Sequence, residues 1–137
     1  MAVPSGPDRP TTDGDSEAWW AAIRDHTLMV NSCRSCGRKS LYVRPFCPHC
    51  WSEEVELTPA SGRGRLYTWS VVHQNAAPFD SRTPYVVAMV DLEEGPRVMT
   101  VVQNCPVEDL QADMDLIITF RDDEDDFTVP VFEPSVS

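Results

Sequence analysis

Lysine is nearly missing from this chain: Lys39 stands alone beside ten arginines, a bias typical of a GC-rich genome. Basic side chains are few altogether, 11 against 22 acidic ones, which leaves a formal charge of −11 and argues against a polyanion as the main partner. No eighteen apolar residues run together and no charged-then-apolar leader opens the chain. A membrane span and export are therefore not expected, and a soluble, cytoplasmic protein is. Internal repeats are lacking, and so is the βαβ pattern that a thioredoxin-like redox pair needs. The acidic run at 122–126 lacks the spaced ligands and central glycine of a calcium loop, so a solvated hairpin turn is expected there.

Four of the five cysteines form two close pairs, Cys33-Arg-Ser-Cys36 and Cys47-Pro-His-Cys50, ten residues apart. Each pair reads as a knuckle, a tight turn that aims two thiolates and several backbone N–H groups at one point. Two facing knuckles make the closed tetrahedral sulfur site that zinc favours, with Cys33, Cys36, Cys47 and Cys50 as ligands. Disulfides and idle thiols are the alternatives, and His49 is a possible substitute ligand. Four thiolates leave no open position for a water or a substrate, so the expected Zn2+ is structural.

The 137 residues suffice for one compact domain and a small appendage. Residues 1–12 hold three prolines among small polar side chains and are expected to be a disordered lead-in. A short helix follows within 13–27, with Ala18, Trp19, Ala22 and Ile23 on one side and Trp20 beside them. The adjacent tryptophans either pack on the domain or anchor a protein–protein contact. Residues 28–58 are expected to form a three-stranded zinc ribbon, with Leu41–Arg44 running between the knuckles.

After a turn-rich joint at 59–64, residues 59–134 read as all-β. Arg65–His73 is a long alternating strand, and 74–84 a loop. Tyr85–Leu92 is so continuously apolar that burial on both faces is expected. Further strands are placed at Arg97–Gln103, Leu116–Phe120 and Phe127–Phe132, with a helical turn near Val107–Leu110 between the first two of these. Pro130 marks an edge position. The expected fold class is mainly β: a short helix and zinc ribbon, then a five-stranded OB-type Greek-key barrel.

No catalytic set is visible. His73 has neither an orienting carboxylate nor a nucleophile nearby in sequence, and His26 suits a helix C-terminus. Cys105 reads as a free, at least half-buried thiol. Arg34, Arg38, Arg44, Arg63 and Arg65 with Lys39 are the one basic cluster, either solvated or in contact with phosphates or an acidic surface.

Five motifs occur in series: Cys33–Gly37, Pro45–Cys50, Gly62–His73, Pro84–Gly95 and Val129–Phe132. Together they resemble the acyl-CoA-associated OB-fold family with an N-terminal rubredoxin-like zinc ribbon, domain-of-unknown-function family thirty-five. The likeness spans about residues 15–134. Ala112-Asp113 departs from it, because a glycine is expected before the fourth barrel strand.

The resemblance implies a non-catalytic subunit that works with a thiolase-superfamily enzyme on acyl-CoA. The first expectation is a thiolase-like aldolase of steroid side-chain or lipid catabolism, carrying out retro-aldol cleavage of a β-hydroxyacyl-CoA. A MaoC-like enoyl-CoA hydratase is a possible further partner. Acetyl-CoA acetyltransferase and hydroxymethylglutaryl-CoA synthase complexes are the alternatives within this class. Trp19, Trp20 and Ile23 are assigned to the partner interface and Arg63 and Arg65 to CoA phosphates, while the barrel helps enclose the CoA chain. Two rivals remain. One is a single-strand nucleic-acid binder that stacks bases on Tyr67 and Trp69, and the other is an autonomous CoA-ester enzyme.

Overall fold

The computed structural model describes residues 12–76, 82–122 and 127–135. The lead-in at 1–11, the middle of the 74–84 loop and most of the acidic turn therefore lie outside the described residues. Helix α1 (Glu17–Arg24) starts where the Asp13 carboxylate accepts the Ser16 N–H and hydroxyl, both at 2.9 Å. Glu17 in its first turn and Arg24 in its last complement the helix dipole. Trp19, Ala22 and Ile23, at i, i+3 and i+4, form the inward seam. Ala18, expected on that face, is exposed.

The ribbon sheet comprises β1 (Met29–Cys33), β2 (Lys39–Ser40) and β3 (Val55–Pro59), antiparallel in the order β2-β1-β3. Residues 41–44, expected to run between the knuckles, are not strand. Instead the chain leaves the sheet after Ser40 and passes over the barrel. There the Tyr42 hydroxyl accepts the Met99 N–H at 3.2 Å, and buried Asn31 ties the detour down by donating to the Arg44 carbonyl at 3.0 Å.

The barrel uses β4 (Arg63–Val72), β5 (Tyr85–Leu92), β6 (Arg97–Val102), β7 (Asp115–Asp122) and β8 (Thr128–Pro134), with a 3-10 turn at Val107–Asp109. Its closed order β4-β5-β6-β8-β7 is that of an OB fold, as expected. β6 and β8 run parallel and meet at Val102 and Phe132, the latter the largest fully buried side chain among the described residues. Pro130 sits inside the closed barrel and pairs with Phe120 of β7, while toward β6 only Phe132 of β8 is in register, with Val102. The Pro130 carbonyl accepts the Thr100 hydroxyl of β6 at 3.5 Å, and the missing proline N–H interrupts no registered β6–β8 pair.

β5 is not buried on both faces. Val86, Ala88, Val90 and Leu92 point into the core, while Tyr85, Val87, Met89 and Asp91 are half-buried outside. The apolar run has a second use: its outer face forms the wall of a cleft described below.

β4 also departs from simple alternation. The register with β5 slips between Leu66 and Thr68, so Tyr67 is the extra residue of a bulge. Leu66 and Trp69 then face the core. Tyr67 is 51 % exposed, with the Arg97 guanidinium 3.5 Å above its ring. Tyr67 and Trp69 do not share a face, and the base-stacking platform of the nucleic-acid rival is absent.

Barrel closure depends on two glycines. A Cβ on Gly64 would lie 2.6 Å from Val90 Cγ1 and 2.8 Å from the Asp91 carbonyl oxygen, and one on Gly62 (φ +81) would collide with Ile118. Gly64→Ala is expected to cost about 1–3 kcal/mol in a urea titration, because the opposing carbonyl belongs to a ladder that cannot retreat. The missing glycine before β7 is explained as well. Asp113 itself adopts φ +65, and its N–H donates to the Leu66 carbonyl at 2.8 Å. Aspartate tolerates the left-handed region better than most side chains, so the turn survives.

Candidate metal centre and adjoining cleft

The first knuckle hangs between β1 and β2 and the second lies in the connection from β2 to β3, so the ribbon sheet holds them face to face. The four Sγ atoms lie within 4.8 Å of one another, with Cys33–Cys50 at 3.6 Å and Cys36–Cys47 at 3.7 Å. Zinc–sulfur bonds of about 2.3 Å in a tetrahedron give sulfur–sulfur edges of about 3.8 Å. A disulfide needs about 2.05 Å. The donors therefore suit Zn2+ and exclude the disulfide alternative in this arrangement.

Charge agrees with geometry. The Cys36 backbone N–H, helped by that of Ser35 and by neighbouring thiols, outweighs burial and pulls the Cys33 thiol down to about 6. Cys50 is pushed up to about 12. The Ser52 backbone N–H favours its thiolate, but burial and the other three sulfurs outweigh that bond. Four thiolates this close require a cation. His49 is exposed, its Nδ1 lies 3.3 Å from the Arg38 guanidinium, and it is not part of the sulfur cluster.

Between α1, the Leu41–Val43 detour and the outer faces of β5, β6 and β8 runs a largely apolar cleft of about 990 Å3. Trp19 and Trp20 form one wall, Tyr85, Val87 and Met99 another, and Arg82 and Arg121 also line it. Trp19 is fixed by its indole N–H donating to the Met29 carbonyl at 2.9 Å, and it meets Trp20 edge-on at 4.8 Å. Trp20 in turn lies 5.4 Å from Phe127. Sequence reasoning missed this cleft, since segments scattered from Ser16 to Val131 build it.

The structure relocates several expected site residues. Ile23 has no exposed surface and belongs to the core with Leu28 and Val30, so it is not available to a partner. Arg63 pairs with Glu93 at 3.1 Å and Arg65 lies 3.8 Å from Asp115, because the β-ladders bring those carboxylates alongside. Neither arginine lines the cleft. His26 reaches β7 rather than merely ending the helix. It stacks on Phe120 at 4.8 Å and bonds Asp122 at 2.9 Å, and with Thr128 it holds that carboxyl below its usual range. Cys105 is half-buried at the cleft. Burial and then Asp109 and Glu108 push its thiol up, away from nucleophilic use. Among the described residues, no helix is long and apolar enough to cross a membrane.

A closed four-sulfur ribbon leading directly into a five-stranded barrel defines a zinc-ribbon OB-fold protein. Residues 20–56 match the family described as "ChsH2, rubredoxin-like zinc ribbon domain", and residues 57–121 match "ChsH2, C-terminal OB-fold domain". The chain belongs to this family, DUF35.

A DUF35 domain-containing scaffold protein of Methanocaldococcus jannaschii is 35% identical over 74% of each chain. A probable enoyl-CoA hydratase alpha subunit of Thermomonospora curvata is 30% identical over 93% of this chain, which spans only 40% of that relative's length. Benzoylsuccinyl-CoA thiolase subunit BbsA of Thauera aromatica is 35% identical over 54% of this chain and 50% of its own. Among solved structures, a chain of the Ltp2-ChsH2(DUF35) aldolase superposes with a TM-score of 0.85. Its identity is 30%, covering 93% of this chain and all of that one.

Proposed function

We propose that this chain is a non-catalytic accessory subunit that assembles with a thiolase-superfamily enzyme acting on acyl-CoA. The partner we favour is a thiolase-like aldolase that cleaves a β-hydroxyacyl-CoA by a retro-aldol step in steroid side-chain or lipid catabolism. The observation that carries this reading is the end-to-end likeness to the ChsH2(DUF35) chain of an aldolase. The BbsA relative supports a thiolase as the alternative partner, and the Thermomonospora relative supports a hydratase as an additional one.

The described residues fit a supporting role. The four cysteines would hold a zinc ion whose closed coordination supplies folding rather than Lewis-acid chemistry. Burial pushes the Cys105 thiol at the cleft up, away from nucleophilic use. Reduced thiols suit a reducing compartment such as the cytoplasm. On this reading the working units are the helix of 13–27, the ribbon of 28–58 and the barrel of 59–134. The cleft takes the apolar acyl part of the partner's substrate, with Trp19 and Trp20 as its wall. An apolar cavity of 990 Å3 with a few polar groups is of the size that encloses such a ligand.

The test is co-expression with a thiolase-like subunit, followed by size-exclusion chromatography with light scattering. A stable complex of defined mass is expected. Two separate peaks at micromolar concentration would defeat the proposal.

A further inference from the structure

The ladder between β6 and β8 stops one step from where it begins. Its registered pair is Val102 with Phe132, and the Phe132 carbonyl accepts the Gln103 N–H at 2.9 Å. Alternate residues of a strand turn their backbone groups toward the same neighbour. Two residues back along β8, the position that faces β6 for the next rung is therefore Pro130. Proline has no N–H to give. In a parallel ladder the β6 carbonyl opposite that missing donor belongs to Met99.

The Met99 N–H shows where its backbone groups point. It donates to the Tyr42 hydroxyl of the Leu41–Val43 detour at 3.2 Å. The N–H and carbonyl of one strand residue leave the strand on the same side, so the Met99 carbonyl also faces away from β5. Met99, Thr100, Pro130 and Tyr42 all line the cleft. One rung of β6 thus opens into it, with a proline opposite the carbonyl and a side-chain hydroxyl on the N–H. That hydroxyl stands where a ladder carbonyl would, on a side chain that is 59% exposed and free to yield its place.

Backbone donors and acceptors set among apolar walls are what orient a ligand in a pocket of this size. The ligand that answers this rung is an extended chain bearing amides. An amide N–H meets the Met99 carbonyl and an amide carbonyl replaces the Tyr42 hydroxyl, as when a strand adds to a sheet edge.

We infer that the Met99 rung holds the pantetheine arm of an acyl-CoA, whose two amides lie along one extended chain. This rests on the reading above, in which the cleft takes the acyl part of such a thioester, and adds the groups that hold the arm. A peptide carries amides too. The apolar wall of Trp19 and Trp20 favours a ligand whose amide arm ends in an apolar group.

The experiment uses the full zinc-loaded chain and two probes, octanoyl-pantetheine and S-ethyl octanethioate, the same acyl thioester without amides. Affinity is read by tryptophan fluorescence, and contact at the rung by the amide NMR resonance of Met99. Octanoyl-pantetheine is expected to bind at least about 10-fold more tightly than the ethyl thioester, and it alone should shift the Met99 resonance. Tyr42→Phe removes the covering hydroxyl and keeps the ring, so it is expected to bind octanoyl-pantetheine about 3-fold more tightly. Pro130→Ala supplies the missing N–H and lets the next rung close. It is expected to melt at the same temperature or higher and to bind octanoyl-pantetheine about 10-fold more weakly, with the ethyl thioester unaffected.

Equal affinity for the two thioesters, or an unmoved Met99 resonance, overturns the rung and leaves the accessory role standing. Weaker binding by Tyr42→Phe shows that the hydroxyl serves the ligand rather than covering the rung, and also overturns it. A blocked tetra-alanine peptide that shifts Met99 and binds as tightly as octanoyl-pantetheine overturns it in favour of a peptide. Failure to form a complex with a thiolase-like subunit defeats the accessory role separately, because these titrations use this chain alone.

Discussion

Stripping the metal with a chelator, or replacing Cys36 with serine, is expected to unfold the ribbon while the barrel strands stay protected. The sulfurs sit at tetrahedral edge lengths, and the segment around them has almost no core of its own. Between Cys33 and Val55 only Cys33, Ser40 and Cys47 are buried, and β2 is two residues long. Sites of this kind contribute about 10–16 kcal/mol of binding energy that is at the same time folding energy. Hydrogen exchange should show amides of residues 33–55 losing protection on zinc removal, with those of β4 to β8 largely retained.

Phe132→Ala is expected to cost about 3–5 kcal/mol, a large share of the roughly 5–15 kcal/mol available to a domain of this size. Phe132 is 2% exposed and stands where β8 meets β6, opposite Val102, with its carbonyl accepting the Gln103 N–H at 2.9 Å. That junction is the single registered pair of the parallel contact, so the cavity opens where the barrel has fewest backbone bonds to resist collapse. A urea titration should show a lower midpoint with zinc content unchanged. The separation of the two effects is informative: metal loss disables the ribbon, and the cavity disables the barrel.

What the sequence made legible was local. The C-x2-C pairs name their own chemistry, because ligand type and spacing are enough to identify a closed zinc site. The alternating runs of β4 and β6 to β8 identify strands, and Gly62 and Gly64 mark the joint where two ladders crowd β4. The fold class was within reach for that reason.

The rest depended on long-range placement. An apolar helix face looks the same whether its own barrel or another protein covers it, so Ile23 read as interface and proved to be core. Arg63 and Arg65 read as available cations because Glu93 and Asp115, which neutralise them, are 30 and 50 residues away in the chain. One bulge at Tyr67 rotated half of β4 relative to a simple alternation and dissolved an apparent stacking pair. Asp113 occupies a left-handed position, and only its backbone angles reveal that the aspartate is a tolerable glycine substitute.

The accessory role is tested most directly by reconstituted turnover. A thiolase-like aldolase subunit and this chain are purified separately and assayed for cleavage of a β-hydroxyacyl-CoA, each alone and then mixed. The account predicts no turnover by this chain at any concentration, little by the aldolase subunit alone, and full activity that saturates as this chain is titrated in. Cleavage by this chain without a partner, or a partner rate unmoved by its addition, would contradict it.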